Sequence, residues 1–423
     1  MRGLLVPTTI ITLLFSALAV PAVGHPETPT GVVILGAGMV DGHSVRVDIA
    51  APDAGATPGD TREIELDAWP GGVHAHGSVP LVGLPPRLPI PMDVDLAGGA
   101  VKVGAVKVGE FPPVPRFTEN VRFPVRVTLR QGGRVTTAER TVTLLLPTVI
   151  VAGYANELSG RDGGVLGVLK QHGYRDNGRA PTLFWFDYPS HELTLEQAAH
   201  ALAGYVNGTV LPRTYAAKIN VVGYSLGGLM ARWNVQFDVD GWGTLVNRLL
   251  LVGVPNEGSV LPYMYRDVPT YVPYGYLVHS PAVREMLPTF PFWRRSSTDA
   301  WSTPPDAGNP VLAELNNRPM PAGVQVELYY GSGQQTVTAL TEDGAATLGP
   351  GDGIVPAASA LGGPIQGGSG VPALLAPNVV RIDLGAVGHT SLMSAGVTER
   401  FAAALLRQFD TTAAPPPQRP EGQ

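Results

Sequence analysis

Two hydrophobic rhythms divide the chain. From about Thr30 to Leu146, apolar and polar residues alternate in short runs: Val45-Arg46-Val47-Asp48-Ile49, Glu63-Ile64-Glu65-Leu66, Val101-Lys102-Val103 and Val125-Arg126-Val127-Thr128-Leu129. Period two bounded by turn residues is the pattern of half-buried antiparallel strands, and no helical period of useful length interrupts it. This stretch predicts a small all-β, sandwich-like module. After Pro147 the rhythm changes. Thr148 to Ala152, Leu183 to Phe186, Ile219 to Val222 and Arg248 to Val252 are apolar runs of the kind buried on both faces of a parallel sheet, and Val324 to Tyr330 and Val379 to Leu384 read as further strands. Helical segments separate them: Val165 to His172, a helix opened by the capping-box pattern Thr194-Leu195-Glu196-Gln197, Leu226 to Trp233, and Leu392 to Phe409. Strand alternating with helix predicts a parallel sheet of about six strands flanked by helices, with ligand chemistry at the carboxyl ends of the strands.

The strongest local signal lies at Gly223-Tyr224-Ser225-Leu226-Gly227, where an apolar strand meets a helix directly. Such a junction needs a sharp turn, and Gly223 and Gly227 remove the side chains that would clash around it. The residue at the apex, Ser225, is forced outward above the sheet edge, with the backbone N–H of Leu226 close by. The first strand after Pro147 ends in Gly153-Tyr154, a loop placed to turn under that serine. The backbone N–H of Tyr154 is therefore the candidate partner of Leu226 N–H in holding a developing oxyanion.

A serine hydroxyl becomes a useful nucleophile when an imidazole accepts its proton, and the imidazole needs a carboxylate to fix its tautomer. His389 is late in the chain and immediately follows a strand, in Gly388-His389-Thr390. Asp352 lies between glycines in Gly351-Asp352-Gly353-Ile354-Val355-Pro356. Ser225, Asp352 and His389 thus run in the order nucleophile, acid, base, each expected just after a core strand. Asp187 precedes the serine, and Asp383 sits within the last strand, so both are weaker candidates for the acid.

Two other patterns are set aside. Val32 to Met39 (VVILGAGM) resembles the start of a dinucleotide fingerprint, but Asp41 occupies the third glycine position and a strand follows where a helix is needed. Val73-His74-Ala75-His76 puts two imidazoles on one face of a strand, yet no third ligand stands at a convincing spacing, so they are read as solvent-facing and no metal site is assigned.

Composition narrows the picture further. A net charge of −6 with 29 basic residues gives no basic stripe, so nucleic acid is not an expected partner. The absence of cysteine excludes disulfides and thiolate chemistry. Residues 1–24 read as a secretory signal, with Arg2, the apolar core Ile10 to Val20 and the small-residue site Ala22-Val23-Gly24, which implies a secreted, periplasmic or cell-surface protein. Nine aromatic residues fall among the 39 from Tyr263 to Trp301, against 7% of the whole chain, and prolines break that stretch. It is expected to form a lid, spanning about 259–312, that meets substrate and a lipid surface. The expected organisation is a signal at 1–24, an all-β domain at 25–146, a catalytic domain at 147–410 and a Pro-rich disordered tail at 411–423.

With these residues in view, the part after Pro147 resembles the lecithin:cholesterol acyltransferase-like and lipase branch of the α/β-hydrolases. The matching pieces are Gly223 to Gly228 (GYSLGG), Gly253 to Ser259 (GVPNEGS), Tyr329 to Gly333 (YYGSG), Gly351 to Pro356 (GDGIVP) and the strand-end His389. The resemblance implies Ser225 as nucleophile, Asp352 as acid and His389 as base. It departs in having no cysteine pair near the lid. The expectation is a secreted serine hydrolase that cleaves acyl esters, lipids foremost, without metal or organic cofactor. The alternatives are an O-acyltransferase that moves the acyl group to an alcohol, and a surface-binding protein whose hydrolase domain is inactive.

Overall fold

A computed structural model describes residues 31–51, 62–81, 89–154, 164–190, 192–259, 281–289, 294–295, 301–302, 309–340, 346–365, 370–407 and 409–410. The expected signal, the tail and most of the expected lid lie outside the described residues. Among those described, no helix is long and apolar enough to cross a membrane.

The alternating stretch folds as its pattern predicts. Its strands are β1 (Val33–Met39), β2 (Ser44–Ala50), β3 (Arg62–Ala68), β4 (Ala75–Pro80), β5 (Ile90–Asp95), β6 (Ala100–Val103), β7 (Val106–Glu110), β8 (Asn120–Gln131) and β9 (Arg134–Leu144). One antiparallel sheet has the order β1-β2-β5-β6-β7, and a second is built on β8, β3 and β4 with β9 beside β8. Val45, Val47, Ile49, Met92 and Val94 from the first sheet share a core with Ile64, Leu66, Phe123, Val125 and Val127 from the second. Alternate residues point outward, which is why the polar positions sit between these core positions. The strand β1 leads into β2, with no helix between them, as the failed dinucleotide fingerprint requires.

Past Pro147 the chain forms β10 (Thr148–Val151), α1 (Val165–Gln171), β11 (Leu183–Phe186), α2 (Leu195–Tyr205), β12 (Ile219–Tyr224), α3 (Leu226–Gln236) and β13 (Val246–Val252). A two-residue pair, β14 (Arg294–Arg295) with β15 (Trp301–Ser302), falls in the expected lid. Then come α4 (Pro310–Asn316), β16 (Gln325–Tyr330), the hairpin β17 (Gln334–Leu340) and β18 (Ala346–Gly351), β19 (Val380–Asp383), α5 (Ala395–Leu406) and β20 (Phe409–Asp410). Six strands make one sheet in the order β11-β10-β12-β13-β16-β19, and every pairing is parallel. The continuous apolar runs are explained by burial on both faces. Val149, Val221, Leu249 and Leu251 pack towards α2 and α3, while Ile150, Val222, Leu250 and Val252 pack towards α1 and α5. The capping box at Thr194 forms as read, with Thr194 Oγ1 accepting from Gln197 N and Gln197 reaching back to Thr194 N.

The structure corrects two sequence expectations. Asp352 does not follow a strand of the parallel sheet. It follows β18, one arm of an antiparallel hairpin inserted between β16 and β19. The closing helix is also shorter than Leu392 to Phe409: it ends at Leu406, and Phe409 and Asp410 return to pair in parallel with Asn120 and Val121 of β8. The end of the described chain therefore adds a strand to the N-terminal sheet.

The two modules are stitched together at Asn120. Its side chain is buried, accepts from Leu146 N at 2.8 Å and donates to Leu405 O at 2.8 Å, so one amide ties β8, the module boundary and α5. Truncation would leave a buried N–H and a buried C=O without partners, each costing about 1–3 kcal/mol. Asn120→Ala is expected to lower stability by about 2–4 kcal/mol in denaturant unfolding, whereas Asn207→Ala, at an exposed site, should change it by less than about 0.5 kcal/mol.

Candidate active site

The chain runs from β10 outward to β11, then crosses back to lay β12 on the other side of β10, and proceeds outward through β13, β16 and β19. The order reverses at β10 and β12, the place on an open α/β sheet where the loops leaving the carboxyl ends diverge and ligands bind. Gly153 and Tyr154 leave β10 there, and Ser225 leaves β12. The two loops meet closely: a Cβ on Gly153 would stand 3.2 Å from the Ser225 Cβ.

Ser225 sits at φ 51° and ψ −124°, a conformation that a residue with a side chain adopts only under constraint. The constraint is visible on each side. Ser225 N donates to Val252 O at 2.9 Å, prolonging the sheet ladder, and Gly228 N donates to Ser225 O at 3.0 Å, starting the helix. Gly227 leaves no room for a side chain, because a Cβ would lie 2.4 Å from Ala152 O and 2.5 Å from Val151 O. Leu226, as first residue of α3, has an N–H with no acceptor inside the helix.

The structure brings Ser225, His389 and Asp352 into one hydrogen-bonded line. His389 Nε2 is 3.1 Å from Ser225 Oγ, and His389 Nδ1 is 2.8 Å from Asp352 Oδ2. All three side chains are buried. Both carboxylate oxygens are engaged, Oδ1 accepting from Ile354 N at 3.0 Å and Val355 N at 2.7 Å, and the backbone carbonyl of Asp352 separately accepts from His389 N at 2.8 Å. Since a carboxylate only accepts, Nδ1 of His389 carries the proton in that contact, and Nε2 presents a lone pair to the serine hydroxyl. The rival acids stand elsewhere. Asp187 accepts from Trp185 Nε1, and Asp383 accepts from Ser332 Oγ and Gly385 N.

Sequence reasoning missed what holds these groups in place. Tyr224 Oη donates to His389 O at 3.0 Å, and the Tyr224 and His389 ring centroids are 5.1 Å apart, so the residue before the serine supports the imidazole. The loop after β13 braces the aspartate loop. Ser259 Oγ donates to Ile354 O at 2.6 Å, Ser359 Oγ donates to Gly258 O at 2.7 Å, and Asn256 Nδ2 donates to Ala360 O at 2.7 Å. Behind Asn256 lies Arg232, wholly buried in α3, donating to Gln236, Asn256 and Asn316 at 2.9, 2.9 and 3.0 Å. Burial pulls the Arg232 guanidinium down to about 9, against the charge of Glu257. Burial likewise raises the Glu257 carboxyl, opposed by a hydrogen bond from Thr289 and by Arg232. The only sequence trace of this network is the polar run Asn256-Glu257-Gly258-Ser259 directly behind an apolar strand.

Sheet order and strand-to-helix turn together define an α/β-hydrolase fold. Among solved structures, Bacillus licheniformis lipase BlEst2 in its mature form is similar at 15% identity and TM-score 0.40, covering 62% of this chain and 91% of that one. Staphylococcus hyicus lipase is similar at 12% identity and TM-score 0.36, covering 62% of this chain and 94% of that one. Carboxylesterase CesB (YbfK) from Bacillus subtilis is similar at 11% identity and TM-score 0.36, with 69% of this chain and 90% of that one covered. No known family's profile matches the chain, and no curated protein does.

The turn at Ser225 should not tolerate a methyl group. Gly227→Ala is expected to cost at least about 3 kcal/mol, because the new Cβ meets backbone carbonyls that cannot swing away. Gly204→Ala, in α2 with nothing within 4 Å of an added Cβ, should be neutral or stabilise by up to about 1 kcal/mol. Paired urea titrations of the two variants check both signs.

Proposed function

We propose that the chain is a serine ester hydrolase. The observation that carries this reading is the buried line Ser225 Oγ to His389 Nε2 to Asp352 Oδ2, at 3.1 and 2.8 Å, at the sheet edge where the strand order reverses. Nε2 takes the hydroxyl proton as Ser225 Oγ attacks the ester carbonyl, and Asp352 stabilises the imidazolium. The tetrahedral oxyanion is assigned to the backbone N–H groups of Leu226 and Tyr154. Collapse expels the alcohol, which takes the proton back from His389, and leaves an acyl group on Ser225. Water, deprotonated by the same Nε2, then releases the acid and restores the serine.

Acyl esters are the substrate class, with lipid esters first among them. What favours lipids is the density of aromatic residues in the segment expected to cover the site. The apolar N-terminal stretch of the sequence supports export to the cell surface or medium. Transfer of the acyl group to an alcohol, as in the lecithin:cholesterol acyltransferase-like branch, uses the same first half-reaction. A substrate panel from short esters to phospholipid vesicles, run with and without a long-chain alcohol, separates the two by whether free acid or a new ester accumulates.

Ser225→Ala should abolish both ester cleavage and covalent labelling by a fluorophosphonate, and retained labelling would move the nucleophile elsewhere. Asp352→Asn should lower kcat by up to about 10⁴-fold, for a specific reason. Ile354 N and Val355 N continue to demand an acceptor at Oδ1, so the new amide nitrogen is turned towards His389 Nδ1. The imidazole is then forced to accept there and to carry its proton on Nε2, where it can no longer act as a base. A pre-steady-state trace for this variant with a chromogenic ester should show slow acylation at undiminished binding.

A further inference from the structure

His74 and His76 face solvent, as read from the sequence, and the pairing of β3 with β4 sets a carboxylate beside them. Asp67 lies directly across from His76, and Ala68 across from Ala75. Ala68 and Ala75 face the sandwich core, so Asp67, His74 and His76 share the outer face of the hairpin. Asp67 stands seven positions before His74 in the sequence, and only the strand register brings it near.

We propose that Asp67, His74 and His76 form a zinc-binding site on the N-terminal module. One ligand atom from each lies within 4.8 Å of the others. His74 Nε2 is 2.7 Å and His76 Nδ1 is 3.0 Å from the same carboxylate oxygen, Asp67 Oδ1. Around a tetrahedral ion with bonds of about 2.0–2.2 Å, ligand atoms stand roughly 3.4 Å apart. His74 Nε2 and His76 Nδ1 therefore draw back from Asp67 Oδ1 by roughly 0.7 and 0.4 Å, while the two imidazole nitrogens, within 4.8 Å of each other, close by at most roughly 1.4 Å, shifts that ring rotations of half-exposed imidazoles can supply.

The scaffold favours such a site in three ways. Asp67 and His76 are fixed by a β-ladder, so two ligands arrive on rigid backbone. The turn between the strands runs through Pro70, Gly71 and Gly72, with both glycines at positive φ, and it returns the chain so that His74 stacks on Trp69, ring centroids 5.0 Å apart and planes 8° apart. The neighbouring cation is already occupied: Arg126 stands opposite Asp67 on β8 and donates to Glu139 at 2.6 Å. Two imidazoles and one carboxylate suit zinc better than calcium or magnesium, which prefer all-oxygen shells. Three protein ligands leave a fourth position for water or an added ligand. The ion would tie β3 to β4 in a chain that has no cysteine for a disulfide.

The test uses the full chain, stripped with chelator and then titrated with Zn²⁺ alone by calorimetry, with bound metal counted by mass spectrometry after dialysis. Wild type is expected to retain about one equivalent through this site and to show a raised melting temperature on zinc addition. His74→Ala and His76→Ala should each lose that equivalent and the thermal shift. His76→Gln, which keeps a polar side chain of similar reach, should lose them too while unfolding at the metal-free wild-type midpoint, so that a folding defect is told apart from loss of a ligand. Ester cleavage and fluorophosphonate labelling of Ser225 should be unchanged in all three, and the metal count is read whether or not the hydrolase reading holds. Uptake only at about millimolar Zn²⁺, or equal uptake by wild type and the variants, overturns the proposal.

Discussion

The site depends on a single strained residue. Ser225 at φ 51° costs on the order of 1–3 kcal/mol relative to relaxed backbone, and nothing in its own side chain recovers that. The compensation is distributed through the backbone around it: the bond from Ser225 N to Val252 O, the bond from Gly228 N to Ser225 O, and the glycine faces that let α3 sit directly on the ends of β10 and β12. Because β10, β12 and β13 are buried on both faces, the strand ends cannot relax away from the turn. A rigid sheet thus converts local strain into a fixed direction for one hydroxyl.

The other two groups of the line reach that hydroxyl by different routes, and the difference shows in their supports. His389 comes from the loop between β19 and α5 and is held by Tyr224, part of the turn itself, so His389 and Ser225 share one support. Asp352 comes from a hairpin outside the sheet and would have no rigid ground without help. It acquires this from the loop after β13, through Ser259, Ser359 and Asn256, and from its own turn, where Ile354 N and Val355 N fix Oδ1. The carboxylate is therefore oriented by backbone donors before the imidazole arrives, and the imidazole tautomer follows from that orientation.

These routes also explain what could be read from the chain. The turn at Ser225 was legible because its requirements are local: an apolar strand, two glycines and a helix within ten residues. The sandwich and the parallel sheet were legible from periodicity, since period two and continuous burial leave different marks on a sequence. The origin of Asp352 was not, because Gly351-Asp352-Gly353 looks the same after a sheet strand as after a hairpin arm. Tyr224, Arg232 and Asn120 act through partners as far as 165, 84 and 285 residues away, and no spacing rule reaches that far. The grouping of Asp67 with His74 and His76 failed for a related reason: ligand spacing rules count along the chain, whereas a β-ladder counts across it.

Arg232 is the most instructive of the unread residues. A wholly buried guanidinium carries a desolvation penalty of several kcal/mol that hydrogen bonds to amide oxygens offset only in part. A methionine in its place would pack without that penalty. What the methionine could not do is specify where Asn256 and Asn316 point, and Asn256 in turn holds Ala360 beside the aspartate loop. Apolar packing tolerates small sliding of one loop on another, but a planar donor with three separate acceptors does not. The acceptors of Arg232, with the charge of Glu257 beside it, thus fix the register of a loop that meets the aspartate loop, and Asp352 in turn contacts Nδ1 of His389 and leaves Nε2 towards Ser225.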